Sequence, residues 1–223
     1  MNEQKTFLVF GGTGQTGRHF VRLALQQGHA VRVLARTPSK LAMEHEDLQV
    51  VPGSITSELD LDALLTGTDA VVAMLGDVAA QRERQVNTEF VRALVPAMRR
   101  QGVRRFLYQA GGLSAAPGKR LAPALRLVRS TIARGYIGQH EDNEAVMRYL
   151  DEEARDIEWM VHRAGIGSDG PSKGELYRSP SAISIGTFVD CAAYNLRTVQ
   201  DERAVHTCDP STYRRPSGDR DRA

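Results

Sequence analysis

Residues 6–17 read Thr6-Phe7-Leu8-Val9-Phe10-Gly11-Gly12-Thr13-Gly14-Gln15-Thr16-Gly17, an apolar run that breaks directly into glycine. The run predicts a short buried strand. Beyond it, Phe20, Val21, Ala24 and Leu25 recur at helical spacing and predict a helix over 16–27 that Gly28 ends. Gly12, Gly14 and Gly17 satisfy Gly-x-Gly-x-x-Gly, and Gly11, Gly14 and Gly17 give a second glycine spacing across the same turn. A spacing of this kind carries meaning in a strand–turn–helix context. The first glycine lets the chain turn sharply off the strand, Gly14 clears room for a ligand to approach the backbone, and Gly17 lets helix and strand pack closely. The unpaired amides of the helix start, favoured by the helix dipole, then face an anion, with the hydroxyls of Thr13 and Thr16 beside them. The anion this bend suits is the pyrophosphate of a dinucleotide.

Outward from the turn, strands are predicted over 30–34, 48–51, 70–75, 105–108 and 157–162, and a last one over 204–207. Helical stretches fall at 59–65, 84–100, 142–153 and 188–199, while 115–134 is basic and less regular. This alternation implies an α/β fold of Rossmann type, a doubly wound parallel sheet of six or seven strands. It forms a single domain over 1–213, including a small substrate-cleft region, followed by a polar tail, 214–223, expected to be disordered.

The end of the second strand bears on which dinucleotide fits. An NAD site places an acid there for the ribose diol. This chain has Ala35-Arg36-Thr37-Pro38-Ser39-Lys40, with two cations, two hydroxyls and no carboxylate. Arg36 and Lys40 suit a 2′-phosphate, so NADP(H) is favoured over NAD(H).

Composition narrows the function classes. The 29 lysines and arginines against 27 acids leave a net charge of +2, too little to recruit nucleic acid or an anionic membrane. The longest apolar run, 70–75, is far short of a membrane span. Cys191 and Cys208 form no zinc or redox pattern, and the six histidines show no metal-ligand spacing, so no metal is expected. The expectation is a cytoplasmic protein, a monomer or small homo-oligomer, acting on a small-molecule substrate.

The sequence resembles the atypical branch of the short-chain dehydrogenase/reductase superfamily, and most of all the small NAD(P)H-binding proteins similar to biliverdin reductase B (flavin reductase) and NmrA-like proteins. The resemblance rests on GGTGQTG at 11–17, VRVLARTPSKL at 31–41, DAVVAMLG at 69–76, FVRALVPAMRRQGVRRFLYQAGG at 90–112 and IEWMVHRAG at 157–165. It implies that Gly11, Thr13, Gly14, Gln15, Thr16 and Gly17 hold the pyrophosphate and that Arg36 and Lys40 meet the adenosine phosphate. Leu75 and Gly76 would pass beside the ribose and diphosphate, and Gly111 and Gly112 would face the nicotinamide. The turn Arg163-Ala164-Gly165 would border the substrate cleft. Ser54 stands where relatives often carry an acid near the adenine, and Ala164 stands where they carry proline. Relatives also commonly have serine where this chain has Ala110-Gly111.

The main branch of that superfamily uses Tyr-x-x-x-Lys, in which lysine lowers the tyrosine pKa. Here the matching stretch is Tyr136-Ile137-Gly138-Gln139-His140, so Tyr136 and His140 are the catalytic candidates, with a protonated His140 in the lysine's role. Gly135 and Gly138 argue against a regular helix there, which leaves a loop lining as the alternative. Glu141, Asp142 and Asn143 open the helix that follows, as caps or, for Asn143, as a substrate contact. The expected function is an NADPH-dependent reductase passing hydride to a quinone, a flavin or another carbonyl compound. The alternative is a non-catalytic NADP(H)-binding redox sensor of the NmrA-like type, and an epimerase ranks last.

Overall fold

The computed structural model describes residues 3–214. The chain runs β1 (Thr6–Phe10), α1 (Gln15–Gln26), β2 (Ala30–Ala35), β3 (Leu48–Pro52), α2 (Leu61–Leu65), β4 (Ala70–Ala73), α3 (Val86–Arg100), β5 (Arg105–Gly111), α4 (Pro123–Ser130) and α5 (Ile137–Glu153), then β6 (Glu158–Ser168), β7 (Leu176–Arg178), β8 (Ile185–Thr187), α6 (Phe188–Thr198) and β9 (Thr207–Tyr213). Seven parallel strands lie in the order β3-β2-β1-β4-β5-β6-β9. Two three-residue strands trim the far edge: β7 antiparallel on β9, and β8 parallel on the end of β6.

Strand alternation builds two cores. In β1, Leu8 and Phe10 point to the face covered by α3 and α5, while Phe7 and Val9 point to the face covered by α1 and α6. Burial on both faces is why β1 and β4 read as unbroken apolar runs. Chain order reverses direction across the sheet between β1 and β4, so the carboxyl ends of these strands open onto the switch-point crevice where ligands of this architecture bind.

Several boundaries differ from expectation for identifiable reasons. β9 spans 207–213 rather than 204–207, because Glu202–Ala204 close as a 3-10 turn and the polar residues after it pair with β6. β6 runs on to Ser168 because β8 extends its edge from Gly165. The irregular stretch contains α4, which buries none of its residues. At the end of α3, Arg99 pairs with Asp156 and Arg100 with Asp62, as a surface rim does, whereas Arg105, the first residue of β5, is buried and reaches Glu202. Of the tail 214–223, residues 215–223 lie outside the described residues.

Candidate cofactor and substrate site

The bend after β1 is built to meet an anion. Gly14 is the N-cap of α1 and carries no side-chain cap, and the first turn holds no acid, so among the described residues no side chain caps the amides there. The Gly14 amide closes the bend onto the Gly11 carbonyl at 2.9 Å. A Cβ at Gly17 would fall 2.0 Å from that same carbonyl oxygen, so only glycine lets the helix start this close to the strand end. Gln15 is exposed and Thr16 buried in the same first turn.

From this bend opens a cleft lined by Gly11, Thr13 and Gly14, by Arg36 at the end of β2, by Ser54 after β3 and by Leu75 and Gly76 after β4. Four strand ends thus bring together residues spread over more than 60 positions of sequence. Lys40 ends an exposed 3-10 turn, Pro38–Lys40, outside the lining of the cleft. Among the cleft residues not expected from the sequence, one is charged. Asp77, two residues beyond Leu75, accepts from Arg36 Nη1 at 2.9 Å. Its carboxyl is held below the ordinary range chiefly by the Ala80 amide and then by Arg36.

At the other end of the site, Gly111 closes β5, and the Gly112 amide donates to the Ala164 carbonyl at 2.8 Å. A methyl group on Gly111 would stand 3.8 Å from His140 Nδ1 and from Asn143 Nδ2. His140 is only 6% exposed, yet neither ring nitrogen has a hydrogen-bond partner. Burial, with a smaller push from Arg129, draws its pKa down to about 4. The ring is therefore neutral at pH 7, which corrects the expected imidazolium. Tyr136 is 49% exposed, in a 3-10 turn just before α5, and makes no hydrogen bond to His140. The helix does run through Gly138, where a Cβ would meet the Gln81 carbonyl at 2.2 Å. Glycine at 138 marks a close approach rather than a break.

Because α5 starts at Ile137, Asp142 and Asn143 lie inside it and do not cap it. Asp142 instead caps α3, accepting from the amides of Asn87 and Thr88 at 2.9 and 3.0 Å, and from Gln81 Nε2 at 2.8 Å. Next to it runs a buried chain. Asn87 donates to the Tyr108 hydroxyl at 2.9 Å, that hydroxyl donates to Asn143 Oδ1 at 2.6 Å, and Asn143 Nδ2 reaches Ser114 Oγ at 3.4 Å. Burial raises the Tyr108 phenol, keeping it a donor. This chain orients Asn143 beside Gly111, and it was not legible from the spacing of its members.

The segment Arg163-Ala164-Gly165 is mid-strand, not a turn. Arg163 Nε donates to the Ser114 carbonyl at 2.9 Å, Ala164 is buried, and a Cβ on Gly165 would strike the Ser184 carbonyl at 2.5 Å. Arg163 thus shapes the loop after β5 from behind. On the same strand His162 is fully buried, bonded to Asn195 Oδ1 at 2.6 Å and to Ser211 Oγ at 2.8 Å. Asn195 continues to Gln109 at 2.7 Å, and Gln109 Nε2 approaches Thr16 Oγ1 at 3.5 Å, reaching the first turn of α1. Asp190 holds a loop by accepting from Ser172 Oγ at 2.5 Å and Tyr213 at 2.6 Å, while Thr187 caps α6. Among the described residues no group of three or more His, Cys, Asp or Glu side chains is placed to hold a metal, and no helix is long and apolar enough to cross a membrane.

The model of the NAD(P)H-binding family matches residues 11–186. A 3-beta-hydroxysteroid dehydrogenase from Mycolicibacterium neoaurum is 36% identical over 114 residues, covering 46% of this chain and 31% of that protein. The chain thus spans about a third of that relative's length. A bifunctional pinoresinol-lariciresinol reductase from Sinopodophyllum hexandrum is 27% identical over 214 residues, 89% of this chain and 67% of that protein. A short-chain dehydrogenase/reductase (wide type) from Veillonella parvula, solved in complex with NADP, superposes with a TM-score of 0.70 at 16% identity, covering 96% of this chain and 100% of that one.

Proposed function

The chain belongs to the NAD(P)H-binding family, and we propose that it is an NADPH-dependent reductase of a small conjugated acceptor such as a quinone, a flavin or another carbonyl compound. The observation that carries this reading is the uncapped, acid-free start of α1 opening on a cleft, together with an unpartnered, buried His140 beside Gly111 at the end of β5. The dinucleotide supplies the hydride; the rest is the work of the chain. The amides of Thr13, Gln15, Thr16 and Gly17 receive the diphosphate, with Thr13 and Thr16 adding hydroxyl donors. Arg36 releases Asp77 to meet the 2′-phosphate, and Lys40 adds charge at the rim. Ser54 faces the adenine side, Leu75 and Gly76 line the ribose path, and Gly111 and Gly112 leave room for the nicotinamide.

His140 acts as a neutral donor of one N–H to the acceptor oxygen, and Asn143, held by Tyr108, offers a second polar contact. A neutral imidazole with its pKa near 4 orients and polarises but is a poor proton source at pH 7. The proton then comes from solvent, at the mouth where Tyr136 stands exposed. Acceptors whose reduced form takes up a proton easily, flavins and quinones, meet that requirement. Most of the rate arises from holding donor and acceptor together.

NADPH consumption with a panel of quinones, flavins and dicarbonyls tests the reading. Turnover with any of them supports a reductase. Tight NADPH binding with no turnover supports the NmrA-like sensor instead.

A further inference from the structure

Next to the residues that face Gly111 lies a cavity of about 520 Å³, walled by the loop after β5, by α4 and by the first two turns of α5. Its charge is one-sided. Between residues 113 and 140 the sequence carries Lys119, Arg120, Arg126, Arg129 and Arg134 and no acid. Arg129 is spent on Glu144, which also accepts the Ala115 amide at 2.7 Å and so braces the loop against α5. Lys119, Arg120 and Arg126 line the cavity without an ion-pair partner among the described residues, opposed only by Glu141 on the α5 wall. Some exposed arginines elsewhere sit against acids, Arg84 with Glu89, Arg92 with Glu153 and Arg155 with Asp151, and others such as Arg22 and Arg148 stand singly among the described residues. What sets this wall apart is that three unpaired cations share one concavity. Three cations gathered around one concavity repel each other, and a bound anion relieves that repulsion.

The cavity shares α5 with the acceptor site. Ile137 and Glu144, which line it, stand one helical turn on either side of His140. A ring held at His140 and Gly111 would therefore lie beside the wall that carries Lys119, Arg120 and Arg126. We propose that this cavity receives an anionic arm of the hydride acceptor, so that the substrate is a conjugated ring compound bearing a carboxylate, sulfonate or phosphate. The position of the ring rests on the reductase reading; the anionic preference of the cavity rests on its own walls.

Calorimetry on the full chain loaded with NADP⁺ tests this with a matched pair: a 1,4-naphthoquinone carrying a propanoate arm and the methyl ester of the same compound. The acid binds about tenfold more tightly at low salt, as a few partly exposed charges acting together provide, and the advantage shrinks as salt screens it. The triple variant Lys119→Ala, Arg120→Ala, Arg126→Ala reduces the preference to within about twofold. Its unchanged NADP⁺ affinity verifies that it is folded. Equal binding of acid and ester, tighter binding of the ester, or binding of neither overturns the assignment. NADPH oxidation with the same pair separates the two ideas. An acid that binds selectively but is never reduced refutes the reductase while leaving the cavity assignment standing. Reduction of both with one KM refutes the cavity assignment and leaves the reductase standing.

Discussion

Arg36 Nη1 donates to Asp77 Oδ2 at 2.9 Å, tying the end of β2 to the loop after β4 across the mouth of the cleft. The cation that would grip a 2′-phosphate is thus already engaged by an acid that the chain itself supplies, and cofactor and Asp77 compete for it. Arg36→Ala should weaken NADPH by about 10- to 100-fold and NADH by less than about threefold, as loss of a charge-assisted contact predicts. Asp77→Asn should act the other way, improving NADPH by about two- to fivefold, the usual worth of an exposed ion pair. Fluorescence titration of both coenzymes checks this, and equal losses for the two in Arg36→Ala remove the phosphate assignment.

The acceptor end separates its two candidates by burial. His140→Ala should lower kcat by about 10- to 100-fold by removing a positioned donor. Tyr136→Phe should change it by less than about threefold. Steady-state assays on the best acceptor of the panel decide this, and a large loss in Tyr136→Phe would make the tyrosine the proton source. With the His140 pKa near 4, kcat carries no inflection from this ring between pH 6 and 8.

His162 gives stability a pH dependence of its own. Burial lowers its folded pKa to about 4 from an unfolded 6.5. The unfolded chain therefore binds the proton first as pH falls. The contribution is whole above pH 6.5, declines as pH drops from 6.5 to 4, and is flat below; its size is about 3 kcal/mol. Urea unfolding at pH 7 and pH 4.5 should show the loss, and His162→Gln should show a smaller difference between the two pH values. An unchanged difference in His162→Gln would mean that other groups carry it.

Much of this arrangement is legible in the sequence. The run 6–17 announced strand, bend and helix because β1 is covered on both faces and the bend has no room for a Cβ at Gly11 or Gly17. β7 and β8 were invisible, since three residues leave no periodicity and their partners β9 and β6 are set by tertiary contact. β9 was expected too early, over 204–207, for another reason: Ser211 faces inward to bond His162, so a polar residue occupies a buried position. Gly138 misled because helix propensity counts it as a breaker, whereas here it admits the Gln81 carbonyl. Asp142 reads as a cap in sequence and is one, but of α3. Pairings such as Arg36 with Asp77 join residues 41 apart, a distance over which sequence spacing is silent.

Bare helix-start amides that grip a dinucleotide are tested most directly by calorimetric titration of the full chain with NADPH and with NADH. Saturable binding of one coenzyme per chain, about tenfold tighter for NADPH, is the predicted result. Absence of heat from both coenzymes at millimolar concentration would contradict it.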